Sequence, residues 1–330
     1  MIPFKYHRAS RAQDAVTAVA DRPDAVFLAG GTNLVDHMKL GIAGPGLVVD
    51  VGHLPLTDVE RLPDGTLRIG ADVRNSDLAA HPLVRSHYPV LARALLSAAS
   101  GQLRNLATTA GNLLQRTRCV YFQDVTTPCN KRTPGTGCSA IGGYTRYHAI
   151  LGASEQCIAA HPSDMAVAMA VLDAEVVYVD SDGEHRMPLN DFHRLPGDRP
   201  DVDTNLPRGA LITAVEIPPA PDGARSTYRK VRDRASYAFA VTSVAAELVV
   251  DDGTVTGARI ALGGVAHKPW RATRAEQAVI GQPATEASFR TAADAELAQA
   301  EPQQGNEFKV ELTKRTIVAT LTTLAEGRQR

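Results

Sequence analysis

The sequence predicts a fold of the α+β class that is divided into two or more subdomains. The chain has 330 residues, which exceeds the size at which a single hydrophobic core usually stops growing. Short apolar runs typical of strands alternate with segments that have the apolar spacing of helices. The stretch 218–224, rich in proline and glycine, is the best candidate for a linker between domains.

The first 55 residues are expected to form an α/β unit. Ser10 is a plausible N-cap for a helix over 11–20, because apolar residues recur there at helical spacing. The apolar runs 25–29 and 47–51 are typical of short buried strands. The first of these strands is followed by Gly30-Gly31, which predicts a turn.

The rest of the chain contains further elements around one irregular segment. Strands are expected at 67–71, 175–179, 211–217, 228–231, 240–250 and 256–262, and helices at 89–100, 164–172, 274–280 and 310–324. Residues 115–157 lack this regularity, because turn formers and cysteines replace it. Such a segment is expected to be a long functional insertion.

Composition and charge exclude some classes of partner. Thirty-five basic and thirty-six acidic side chains give a formal net charge of −1. The chain therefore lacks the excess of basic residues that is typical of nucleic-acid-binding proteins. The longest apolar stretch, 166–172, is far shorter than the roughly 20 residues that cross a bilayer. The first ten residues lack the apolar region of a signal peptide. We expect no membrane insertion and no export signal on this chain; it would stay in the cytoplasm or be carried across a membrane by a partner.

All four cysteines lie between positions 119 and 157. Cys119, Cys129, Cys138 and Cys157 have the spacing C-x9-C-x8-C-x18-C. Four thiolates in a loop-rich segment can ligate a 4Fe–4S cluster, and the adjacent glycines and prolines suit the tight turns around one. The alternatives are a zinc site, which usually has short C-x2–4-C pairs, two disulfides, which need an oxidising compartment, and four unrelated buried cysteines. The spacing favours the cluster and leaves the alternatives open.

Two small polar loops are candidate anion-binding sites. In residues 27–34, Phe-Leu-Ala-Gly-Gly-Thr-Asn-Leu, a strand leads into a glycine turn whose backbone N–H groups can approach an anion closely. Residues 107–112, Ala-Thr-Thr-Ala-Gly-Asn, form a second such loop. An ordinary turn is the alternative for each. Two phosphate-sized loops before a cysteine cluster suggest a redox cofactor that contains a pyrophosphate.

Two further polar segments have both a structural and a functional interpretation. Ser163 or Asp164 can cap the helix that follows, and Asp164 can instead contact a cofactor. The basic segment 228–234 is typical of a solvated strand face, or it can place a lysine near a reduced flavin. Motifs of serine hydrolases, zinc peptidases and P-loop enzymes do not occur in the sequence.

Taken together, these segments resemble the FAD-binding subunits of the xanthine dehydrogenase and molybdenum hydroxylase family. Residues 29–34 are similar to the first FAD pyrophosphate loop of that family, and residues 108–112 are similar to the second. The segment 228–234, with its lysine and arginines, is similar to the start of the family's C-terminal domain. One departure is Ala110, where the family often has glycine.

The cysteine segment resembles one subgroup of this family. Residues 115–122, 128–132 and 148–152 are similar to those of bacterial periplasmic aldehyde oxidoreductases of the PaoABC type. The FAD subunit of this subgroup carries an extra 4Fe–4S cluster. Val120 departs from the aromatic residue expected there.

The resemblance implies an α+β fold with two domains. A two-lobed FAD-binding domain of the vanillyl-alcohol-oxidase (PCMH) type would span residues 1–220, with lobes at about 1–55 and 56–220 and the 4Fe–4S insertion at 115–157. A smaller α/β domain, similar to the C-terminal domain of CO dehydrogenase flavoproteins, would span residues 225–330.

The resemblance also implies partners and an activity. A large subunit with molybdenum bound to molybdopterin cytosine dinucleotide and a small subunit with two 2Fe–2S clusters would complete a heterotrimer. The substrate would be hydroxylated in the large subunit, and electrons would pass through the 2Fe–2S centres to FAD in this chain and then to an external acceptor. This chain would need no catalytic residue. A stand-alone flavin oxidase and a non-catalytic, zinc-stapled assembly scaffold are the alternatives.

The resemblance finally assigns ligand-binding roles by position. FAD would be bound by Val26, Phe27, Leu28, Ala29, Gly30, Gly31, Thr32, Asn33, Leu34, Thr108, Gly111, Asn112, Gln115, Asp164, Ile212 and Lys230. The 4Fe–4S cluster would be ligated by Cys119, Cys129, Cys138 and Cys157.

Overall fold

The computed structural model describes residues 1–327 and shows three sheets, each with its own hydrophobic core. The strands are β1 (Lys5–Arg8), β2 (Ala25–Leu28), β3 (Leu47–Asp50), β4 (Val59–Arg61), β5 (Leu67–Gly70), β6 (Glu175–Asp180), β7 (Gly183–Pro188), β8 (Leu211–Ile217), β9 (Arg225–Val231), β10 (Thr242–Asp251), β11 (Thr254–Gly263) and β12 (Trp270–Arg271). The helices are α1 (Ala12–Ala20), α2 (Leu34–Lys39), α3 (Asn75–Ala80), α4 (Pro82–His87), α5 (Pro89–Ser97), α6 (Gly101–Arg104), α7 (Thr109–Leu113), α8 (Val120–Gln123), α9 (Asp164–Val171), α10 (Leu189–Phe192), α11 (Thr273–Val279), α12 (Glu286–Leu297) and α13 (Phe308–Ala325). The predicted α+β class is confirmed.

The first lobe is a parallel three-stranded sheet in the order β1-β3-β2, covered by α1. The central strand β3 is apolar and buried, whereas β1 is an exposed edge strand that the sequence analysis missed. The prediction of Ser10 as the N-cap of α1 is wrong. Arg11 occupies that position without a capping side chain, and the Ser10 hydroxyl instead donates to the carboxylate of Asp14.

The second lobe is an antiparallel five-stranded sheet in the order β4-β5-β8-β6-β7. All seven residues of the central strand β8 are buried, and α5 and α9 pack in the same core. Every residue of α9 is buried, so this short helix has no polar face in water. Ser163 caps it by accepting a hydrogen bond from the N–H of Ala166 at 2.9 Å. The helix therefore holds its first residue, Asp164, in a fixed position.

The C-terminal domain contains an antiparallel sheet in the order β12-β11-β10-β9, packed against α11, α12 and α13. The sequence predicts two helices at this end, but the structure shows three. The helix that was not predicted, α12, has only Phe289 and Leu297 as large apolar residues on its buried side, beside two alanines and Glu296. This domain also contacts the second lobe, since Tyr228 of β9 belongs to the core of that lobe.

No helix within residues 1–327 is both long enough and apolar enough to cross a lipid bilayer.

Candidate functional site

A cavity of about 660 Å³ lies where the two lobes and the C-terminal domain meet. Both polar loops contribute to its wall, and so do the cysteine insertion and residues 237–240 between β9 and β10. Its volume is within the range of small-molecule and cofactor sites. The residues of the sequence prediction that line it are Thr32, Asn33, Gly111, Asn112, Gln115, Asp164 and Cys119.

The first polar loop packs directly on the second. An added methyl carbon on Gly30 would lie well inside van der Waals contact with the carbonyl oxygen of Leu106, so only glycine fits there. The next residue, Gly31, has a φ of 72°, in the left-handed region that glycine tolerates. Asn33 accepts a hydrogen bond from the N–H of Arg116 at 3.0 Å and so joins this loop to the cysteine insertion. Of the predicted FAD-binding residues 26–34, the cavity wall includes Thr32 and Asn33.

The second polar loop is fixed by a network of side-chain amides. Thr108 is the N-cap of α7, and its hydroxyl oxygen accepts from the N–H of Gly111 at 3.2 Å. The amide of Asn112 donates to Asn75 at 2.6 Å, and its oxygen accepts from Gln115 at 2.7 Å and from the Ser163 hydroxyl at 2.6 Å. This network connects the loop to the start of α9 and holds one wall of the cavity rigid.

A buried ion pair joins the two domains beside the cavity. The ammonium of Lys230 in β9 lies 2.7 Å from the carboxylate of Asp164 in α9, and the two side chains are 3% and 5% exposed. The Tyr228 hydroxyl donates to the same carboxylate. Burial, followed by the charge of Asp164, raises the pKa of Tyr228 well above its ordinary value, so the phenol stays protonated and can donate. Ile212 lies in β8 within the core of the second lobe, away from the cavity lining.

Five buried polar atoms of residues in the cavity wall have no hydrogen-bond partner among residues 1–327: Nδ2 of Asn75, Nε of Arg118, Nδ1 of His148, Nε2 of His161 and Oγ of Ser243. Of these, Nδ2 of Asn75 and Nε of Arg118 can only donate. Buried donors in native proteins are almost always paired, so these two are suited to a ligand with acceptor atoms. The guanidinium of Arg118 also lies 5.1 Å from the ring centre of Phe239, which adds an aromatic surface to the same wall.

The insertion brings the four cysteines into one region as free thiols. Cys129 and Cys138 face each other in an antiparallel bridge, and Cys157 pairs in a similar bridge with Ser154. Burial above all, with a smaller contribution from the charges of neighbouring cysteines, raises the pKa of Cys119 to about 11 and that of Cys157 to about 12. Cys119 also lines the cavity. Within residues 1–327, no three His, Cys, Asp or Glu side chains are grouped so as to hold a single metal ion.

The sequence of this chain matches the models of two known domain families, one over each domain. The family of FAD binding domains in molybdopterin dehydrogenases matches residues 2–220. The chain belongs to this family. The CO dehydrogenase flavoprotein C-terminal domain matches residues 226–324, so the flavoprotein resemblance extends over both domains.

Similarities to individual proteins support the same family assignment. The chain is 53% identical to the aldehyde oxidoreductase FAD-binding subunit PaoB of Escherichia coli (strain K12), over 97% of this chain and 98% of that one. A carbon monoxide dehydrogenase chain from Hydrogenophaga pseudoflava superposes with a TM-score of 0.78 at 25% identity and covers 100% of both chains. A chain of quinoline 2-oxidoreductase from Pseudomonas putida 86 has the same fold, with a TM-score of 0.76 at 24% identity over 99% of each. The expected family and fold are confirmed.

Part of the cavity wall of this FAD-binding family member was not predicted from the sequence. Asn75, Arg118 and the stretch 237–240 line it, but none was singled out. Asn75 lies at the start of α3, and 237–240 has no regular structure, so neither has an apolar pattern to mark it. Arg118 could have been found from the sequence only because it is next to Cys119, which was predicted as a ligand.

Proposed function

We propose that this chain is the FAD- and 4Fe–4S-containing electron-transfer subunit of a heterotrimeric molybdenum aldehyde oxidoreductase. One observation carries the proposal: in a FAD-binding fold, a cavity of cofactor size has in its wall Cys119, the first of four clustered cysteines. The 53% identity to an aldehyde oxidoreductase FAD-binding subunit supports the same assignment.

The cavity residues are suited to FAD. The tight packing of Gly30 on Leu106 leaves the backbone of both loops close together, as a pyrophosphate site requires. Asn75 and Arg118 offer the free donors described above. FAD, when bound, supplies the redox chemistry, and the protein binds and orients it and adjusts its potential by hydrogen bonds and charge. Asp164 would lie at the cofactor with Lys230 behind it, as the buried ion pair indicates.

The cysteine segment is suited to a 4Fe–4S cluster by its donor set. Four free thiols are the ligands that such a cluster takes. Cys119, Cys129, Cys138 and Cys157 would be the four ligands of the cluster, and a cluster does not require three of them to converge on a single metal ion, as a zinc site does. Ligation would also ionise the thiols, offsetting the pKa values that burial raises in Cys119 and Cys157.

The domain division and the partners belong to the same proposal. Domains at 1–220 and 225–330 are supported by the family matches over 2–220 and 226–324. The partners would be a large subunit with the molybdenum cofactor and a small subunit with two 2Fe–2S clusters. The complex would lie in the periplasm if a partner subunit carries an export signal, and in the cytoplasm if none does.

We predict that Cys129→Ser, in the complex purified with its partners, removes the iron of this chain and leaves its FAD. Serine removes one thiolate ligand, whereas the flavin cavity does not include position 129. The loss should be about four irons per complex, the content of one cluster, measured by metal analysis with flavin quantified after extraction. Val125→Ser, at an exposed position of the same insertion, is the matched control and should keep both. An unchanged iron count in Cys129→Ser, or zinc in place of iron in the unmodified complex, would refute the cluster.

A further inference from the structure

The side chain of His148 contacts one of the four cysteines. It is 4% exposed, and its Nε2 lies 3.1 Å from Sγ of Cys119. Both residues line the cavity, so the contact lies on the side of the cysteine segment that faces it. The four cysteines already complete the ligand set of a cubane cluster, which leaves this histidine as a neighbour of a ligand.

The backbone of His148 is held from three sides. Its N–H donates to the carbonyl of Thr145 at 2.8 Å. Its carbonyl accepts from the ammonium of Lys309 at 2.7 Å and from the side chain of Asn306 at 3.4 Å. Lys309 and Asn306 are both 0% exposed, and Lys309 also donates to the carbonyl of Gly264 at 2.6 Å. Through these hydrogen bonds, a fully buried lysine of the C-terminal domain fixes this backbone segment.

We propose that Nε2–H of His148 donates a hydrogen bond to the Cys119 thiolate and thereby raises the reduction potential of the cluster. The inference rests on the proposed 4Fe–4S function. A cluster-bound thiolate has lone pairs and no hydrogen, so the imidazole must be the donor. Hydrogen bonds to cluster sulfurs withdraw negative charge and favour the reduced state, which has one more electron. His148 is thus a positioning and tuning residue, and Lys309 and Asn306 hold it in place.

The test is a redox titration of the complex, purified anaerobically, with His148→Phe and His148→Gln. Phenylalanine keeps the ring shape without the donor, and glutamine can return an N–H near the same place. We expect the iron content to be unchanged in both, and FAD is quantified alongside because His148 also lines the cavity. His148→Phe should shift the ratio of reduced to oxidised cluster about tenfold toward the oxidised form at a fixed potential, which is 59 mV for a one-electron couple, and His148→Gln should recover most of it. His185→Phe, in β7 of the second lobe, is the control and should not shift it.

A measurement on the unmodified complex keeps the inference testable if His148→Phe does not fold. Pulsed EPR of the reduced cluster, in protein labelled with ¹⁵N-histidine, should show a weak nitrogen coupling. A full cluster without that coupling, or with an unchanged potential in an iron-replete His148→Phe protein, would overturn the inference and leave the proposed function intact. An unmodified complex without 4Fe–4S iron would instead overturn the proposed function, and the inference with it.

Discussion

Replacing Gly30 with alanine is expected to separate the two polar loops and to deplete the protein of FAD. The new methyl group would overlap the backbone carbonyl of Leu106, and a backbone atom cannot rotate away as a side chain can. Overpacking of this kind typically costs about 1–3 kcal/mol. Because the same two loops would hold the pyrophosphate, the displacement should weaken FAD binding by about tenfold or more, since 1.4 kcal/mol corresponds to a factor of ten.

Flavin retained after gel filtration and the urea midpoint measure this effect. Gly101→Ala is the matched control, because Gly101 begins α6 and an added methyl group there would meet no atom within 4 Å. That variant should keep its flavin and its midpoint. A Gly30→Ala protein with normal flavin content would show that the packing of Gly30 on Leu106 is unimportant for the cofactor.

Replacing Lys230 with methionine is expected to cause a large loss of stability. The substitution would leave the carboxylate of Asp164 buried without its cation, and breaking a buried ion pair from one side typically costs about 3–5 kcal/mol. Because the pair joins α9 to β9, the loss should loosen the contact between the domains beside the cavity. The free energy of unfolding in urea, measured at neutral pH, provides the test.

A double-mutant cycle separates the pair from its surroundings. The double variant Asp164→Asn with Lys230→Met removes both charges, so it should be destabilised by less than the sum of the single variants. Arg11→Met is the control, since it breaks an ion pair with Asp14 that lies at the surface, and it should change the free energy of unfolding far less than Lys230→Met. Additive single effects in the buried pair would contradict a direct coupling between Asp164 and Lys230.

The sequence predicted the buried elements of this fold better than the exposed ones. The strands β3, β8 and β10 were found because most of the residues in each are apolar and most are buried. The strands β1 and β7 were missed because they are edge strands with charged or exposed side chains, which give no apolar alternation. β1 is specified by its pairing with β3, which is distant in the sequence, whereas β7 is specified by the hairpin that it forms with β6.

The site was predictable where backbone chemistry marks it and unpredictable where only tertiary contacts do. The glycines of the first loop and the clustered cysteines are visible as residue types. The contact of Gly30 with Leu106 and the unpartnered donor of Asn75 depend on folding. The same is true of Lys309, because a lysine in α13 gives no sign in the sequence that it will be buried.

Flavin and iron counts, with optical and EPR spectra, on the anaerobically purified complex test the central claim most directly. The account predicts about one FAD per complex and about eight irons, four from the cluster of this chain and four from two 2Fe–2S centres in the small subunit. The EPR spectrum of the reduced complex should contain a 4Fe–4S signal as well as the 2Fe–2S signals. A colourless preparation without iron or flavin, isolated with its natural partner subunits, would contradict the account.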